Sequence, residues 1–107
     1  MEKEFIPENL VEKLKELGYN GPIIISYILF GEYKPKVDII QRITFSQAFR
    51  WFREKYKFDL TIQHNKKYVA IVYSSVKNFS IDEYETYEEA ELACLNKLIE
   101  IVEPELN

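Results

Sequence analysis

Residues 86–102 read TYEEAELACLNKLIEIV, a stretch that announces a terminal helix from its own first four residues. The Thr86 hydroxyl can accept from the amide of Glu89 while the Glu89 side chain reaches back, the arrangement of a capping box. With residues placed every 100°, Ala90, Leu92, Cys94, Leu95, Leu98, Ile99, Ile101 and Val102 fill an arc of about 200°, twice the roughly 100° a surface helix needs. A helix so widely apolar must be covered from two directions. Either the first helix packs against Leu92, Leu95 and Ile99 and the chain is a monomer, which is the favoured reading, or the same three residues form a patch for a partner or for a second copy in a homodimer.

Working back along the chain, Thr44-Phe45-Ser46-Gln47 is a second capping box and starts a helix at Phe45. Phe45, Ala48, Phe49, Phe52 and Tyr56 then fall within one arc of about 80°, an aromatic stripe built for burial, with Trp51 at its rim. Between the two helices, Phe58, Leu60, Ile62 and His64 alternate with polar residues at the period of a strand with one buried face. Residues 65–66 suit a tight turn. The run 68–74 predicts a central strand, and residues 77–78 break it. Residues 79–84 predict an acidic edge strand whose alternation slips near Tyr84, as a bulge would make it do.

Toward the N-terminus, Pro7, the helically spaced Leu10, Val11, Leu14 and Leu17, and a stop at Gly18 predict a helix over 7–17. Asn20-Gly21-Pro22 turns the chain into 23–30, which reads as a buried strand. Residues 31–35 separate it from 37–43, giving a hairpin. The expected architecture is one α+β domain: a helix and hairpin in 1–43, an α-β-β-β-α unit in 44–103, and a tail at 104–107, with an antiparallel sheet carrying its helices on one face.

Composition narrows the function classes. The 107 residues are 47% hydrophobic and 15% aromatic, enough for one core, and carry a formal net charge of −4. That balance makes nucleic acid an unfavoured partner, since phosphate neutralisation calls for a basic face. The 23–30 run falls far short of the roughly 20 apolar residues that span a bilayer. Cys94 is the single cysteine and sits on an apolar arc, where it reads as an inert small hydrophobe. With a start, Met1-Glu2-Lys3-Glu4, that does not resemble a secretory signal, the expectation is a cytoplasmic protein without membrane contact.

No residue set matches a catalytic, metal or cofactor pattern, so no enzyme, metal or cofactor is expected. His64, the single histidine, reads as a strand-end side chain. The six carboxylates among Asp82, Glu83, Glu85, Glu88, Glu89 and Glu91 lack the glycine turn and rhythm of a calcium loop, and those in the first helical turn favour the helix dipole. The leading expectation is a small non-catalytic interaction protein whose docking residues are Trp51, Glu88, Glu89 and Glu91. The alternative is an atypical nucleic-acid binder using Arg50, Arg53 and Lys57, which fall within about 60° on a helical wheel.

Two resemblances add to this reading. From Thr44 onward the order helix, three strands, helix, with Glu89-Ala90-Glu91-Leu92-Ala93-Cys94 near the end, is similar to a double-stranded-RNA-binding domain. That family's final helix opens with a lysine cluster, where this chain has Tyr87, Glu88, Glu89 and Glu91. Over nearly the whole chain, Phe5-Ile6-Pro7, Leu14-Lys15-Glu16-Leu17-Gly18, residues 45–56 and residues 87–102 resemble a family of short uncharacterised proteins from gut Bacteroidales and their phages or prophages. That resemblance implies a phage- or prophage-associated cytoplasmic protein; the stretch 23–43 lies outside the matching blocks.

Overall fold

The computed structural model describes residues 4–31, 36–73 and 78–103. Three helices and five strands follow in the order α1 (Glu8–Glu16), β1 (Ile24–Phe30), β2 (Lys36–Arg42), α2 (Phe45–Tyr56), β3 (Asp59–Asn65), β4 (Lys67–Tyr73), β5 (Asn78–Tyr84) and α3 (Tyr87–Val102). The fold is α+β and every strand pair is antiparallel. The strands form two separate sheets, β1-β2 and β3-β4-β5. The expected tail at 104–107 and the separators at 32–35 and 77 lie outside the described residues.

Local chemistry sets each boundary. Pro7 is extended and stands just outside α1 as its N-cap, so the helix begins at Glu8, one residue after the expected start. At the other end Gly18 takes φ +91°, its amide donates to the Lys15 carbonyl at 3.0 Å, and Tyr19 donates to Leu14 at 2.9 Å. This is a Schellman stop, which a left-handed glycine permits without a Cβ clash. The reciprocal box at α2 is complete: Gln47 N donates to Thr44 Oγ1 at 3.1 Å and Thr44 N to Gln47 Oε1 at 3.0 Å. The box at α3 is half made. Glu89 N donates to Thr86 Oγ1 at 3.2 Å, but the Glu89 carboxylate accepts from the Thr86 hydroxyl at 3.0 Å rather than from its backbone.

The three-stranded sheet has β4 in the centre, as its apolar run requires, with β3 and β5 at the edges. Between Val69 and Ile71 the pairing with β5 slips, Val69 meeting Glu83 and Ile71 meeting Ser80, so β5 carries the extra residue of the expected bulge. Ala70 and Val72 are fully buried on the face that receives the helices, opposite Ile62 and Leu60 of β3.

Helix α3 contacts all three strands of this sheet and also α2. Leu95, Leu98, Cys94 and Val102 are fully buried and Ile99 nearly so, in one core cluster with Leu10, Val11, Leu14 and Leu17 of the α1 region. The 200° arc is therefore satisfied within the chain. Leu95 and Ile99 keep 0% and 5% of their exposure and Leu92 is half-buried against the same cluster, so these three residues are engaged largely within the chain.

The hairpin departs from expectation. Residues 23–30 were read as a buried strand, yet Ile25, Tyr27, Leu29 and Phe30 of β1 are 51%, 67%, 71% and 51% exposed. The reason is layering: α2 and α3 close on the other sheet, whereas the two-stranded β1-β2 meets α1 along β2, which leaves β1 and the far end of the hairpin open. Its base is clamped, through the Phe5 and Thr44 bridge, Ile6 N donating to Ile43 at 2.9 Å, Arg42 over the Phe5 ring at 5.1 Å, and a Lys15 to Gln41 hydrogen bond. The radius of gyration is 16.0 Å, against about 13 Å for a compact chain of this length.

Between α1 and the hairpin, Gly21 lies against Tyr19. A Cβ there would meet the Tyr19 hydroxyl at 2.7 Å and its ring carbon Cζ at 2.8 Å, while that hydroxyl donates to the Pro22 carbonyl at 2.7 Å. Gly21→Ala should lower stability by about 1–3 kcal/mol through overpacking. Urea unfolding followed by Trp51 fluorescence measures it, and an unchanged midpoint would show that Tyr19 yields freely.

Candidate functional site

Trp51 was expected at a docking rim, but it is 5% exposed. Its indole Nε1 donates to Asn20 Oδ1 at 2.9 Å, and its ring packs on Phe52, Tyr19 and Tyr56 at centroid distances of 5.0, 5.5 and 5.7 Å. The segment after α1 covers the side of α2 that the aromatic stripe leaves open. Lys55 completes the enclosure, lying 5.0 Å from the Trp51 ring and donating to the Leu17 carbonyl at 3.3 Å, where it meets the negative end of α1. Trp51 is a core residue, and only its edge borders the shallow depression beside Arg50 and Gln47.

The basic stripe also dissolves on inspection of its members. Arg50 Nε pairs with Glu54 at 3.0 Å and Arg53 Nε with Asp59 at 3.5 Å, all four side chains largely exposed. Lys57 is off the helix: α2 ends at Tyr56 and Lys57 takes the left-handed conformation at φ 61°. A stripe of three cations is thereby reduced to two guanidiniums, each facing a carboxylate, and such exposed pairs add only about 0–1 kcal/mol each.

Among the docking residues on α3, Glu88 and Glu89 are exposed and Glu91 is half-buried. Burial, and then the neighbouring Glu88 charge, hold the Glu91 carboxyl above its ordinary range. Glu89 is occupied by the Thr86 cap. Among the described residues no three His, Cys, Asp or Glu side chains converge as metal ligands, and no helix is long and apolar enough to cross a membrane. His64 is exposed and stacks on its cross-strand partner Tyr68 at 4.3 Å, a sheet contact.

The surface that sequence reasoning missed is on the hairpin. Cross-strand partners share a face, and the register places Ile25 opposite Gln41, Tyr27 opposite Ile39 and Leu29 opposite Val37. Val37 and Ile39 are each 58% exposed, so among the described residues five apolar side chains form one open face with Gln41 as its polar member. The charges lie on the opposite face, at Lys36, Asp38 and Arg42. Adjacent Ile39 and Ile40 hide any alternation in 37–41, and the apolar run of 23–30, broken only at Ser26 and Tyr27, looked like a buried strand. Comparison with family models, with curated proteins and with solved structures finds no match.

Cys94 has no exposure, and its thiol is pushed up to about 12 by burial first and by Glu91 second, with Arg53 acting in the opposite direction. A raised thiol favours the protonated folded state, so its contribution is complete below the ordinary value of 9.0 and is lost as pH climbs toward about 12. The stability advantage of the wild type over Cys94→Ala should accordingly shrink across that window in urea titrations. A gap that stays constant with pH would contradict the buried neutral thiol.

Proposed function

We propose that this chain is a small non-catalytic interaction protein that docks through the apolar face of the β1-β2 hairpin. The observation that carries the reading is the open face of Ile25, Tyr27, Leu29, Val37 and Ile39 on an element clamped only at its base. An isolated two-stranded hairpin is marginal in water, and contiguous apolar surface of this size marks an interaction site. Docking energy would come from desolvating Tyr27 and Leu29, the most exposed of the five. Glu88 and Glu89 remain as charges that influence encounter rather than anchor the contact.

The nucleic-acid alternative has weaker support, because Arg50 and Arg53 face carboxylates and Lys57 leaves the helix. The helix, three strands, helix order of 44–103 supports reading this half as sharing the layout of a double-stranded-RNA-binding domain with its phosphate grip replaced by carboxylates. On the strength of the sequence resemblance, we also read the chain as a cytoplasmic, phage- or prophage-associated protein.

Affinity capture from the native host, quantified by mass spectrometry for the intact chain and for Leu29→Lys, tests the docking face. Partners should be lost with Leu29→Lys and kept with a Glu88→Lys, Glu89→Lys double substitution. Capture indifferent to Leu29→Lys and abolished by the double substitution would return the docking site to α3.

A further inference from the structure

We infer that the occupant of the hairpin face is a second copy of this chain, related by a two-fold axis that brings the Tyr27 and Ile39 pair of one copy against the same pair of the other. This rests on the docking face proposed above and adds its partner. A two-fold contact sets one patch against an identical patch, so net charge on the shared surface would oppose it. Among the described residues of the hairpin, the face of Ile25, Tyr27, Leu29, Val37 and Ile39 has none, on a chain whose net charge is −4 and whose opposite hairpin face carries Lys36, Asp38 and Arg42.

Size agrees with the same occupant. From their fractional exposures the five side chains offer about 600 Å² per copy, so a symmetric pair would bury about 1,200 Å², the lower bound for a stable specific interface. Two faces of this kind stacked about 10 Å apart make a four-stranded sandwich, which supplies the hairpin with the second layer its own chain withholds. A lipid surface is the competing occupant, since Lys36 and Arg42 lie beside the apolar face, but the whole chain is acidic at a net charge of −4.

Sedimentation equilibrium of the full chain over a wide concentration range is the test, joined to cysteine cross-linking. The wild type should dimerise, and Leu29→Lys and Tyr27→Lys should each lose the dimer while keeping the circular-dichroism spectrum and melting temperature of the dilute wild type. With a flexible bis-maleimide reagent Ile39→Cys should give a cross-linked dimer and Asp38→Cys, on the other face, should not. A wild type that stays monomeric throughout overturns the second copy as occupant, whereas loss of the docking face itself would show as partner capture indifferent to Leu29→Lys. A dimer that survives both lysine substitutions, or equal cross-linking from positions 38 and 39, overturns it as well. Monomers that bind phosphatidylcholine vesicles through Leu29 would assign the face to lipid and overturn it too.

Discussion

The burial of α3 from two directions is the constraint on which the rest of this fold depends. One side of the helix meets all three strands of the β3-β4-β5 sheet and another meets α2, leaving Ala90, Cys94, Leu95, Leu98 and Val102 without exposure. Each fully buried aliphatic side chain adds about 1.5–3 kcal/mol relative to exposure, so this helix carries a large share of the stabilisation. Helix α2 then turns its aromatic stripe inward, and the α1 region closes the cluster through Leu10, Val11, Leu14 and Leu17. Lys13 and Glu103, 3.2 Å apart, join α1 to the end of α3 at the surface.

A core satisfied in this way has no use for the hairpin. The inward-facing positions are filled by three helices and one sheet, and β1-β2 is attached at its root by Phe5, Ile6, Lys15 and Arg42. Tyr27, Leu29 and Val37, beyond the root, are left largely exposed. One face of the hairpin carries Ile25, Tyr27, Leu29, Val37 and Ile39, while Lys36, Asp38 and Arg42 share the other with Ile24 and Phe30, and this is the physical basis for assigning the first face an intermolecular role.

Much of this architecture was legible in the sequence, because local chemistry decided it. Thr44 with Gln47 placed the start of α2, Gly18 the end of α1, and the broken alternation before Tyr84 the bulge in β5. Where reading failed, the answer lay in contacts between distant segments. Trp51 sits off the aromatic stripe of its own helix and is buried only because Tyr19 and Asn20 come over it, with Asn20 supplying the acceptor for its indole. Residues 23–30 have the composition of a core strand, and a strand's composition does not reveal whether a second layer exists to cover it. Lys57 matched a helical face that ends one residue earlier.

The central claim is that the core closes without the hairpin, whose apolar face is left for an intermolecular contact. Native-state hydrogen exchange, resolved by residue and repeated at low and high protein concentration, tests this most directly. Amides of α3 and β4 should exchange only through global unfolding at both concentrations. Those of β1 and β2 should exchange by local opening when dilute and gain protection when concentrated. Hairpin amides as protected as those of α3 in the dilute monomer would contradict the account, since they would show the hairpin to be part of the cooperative core.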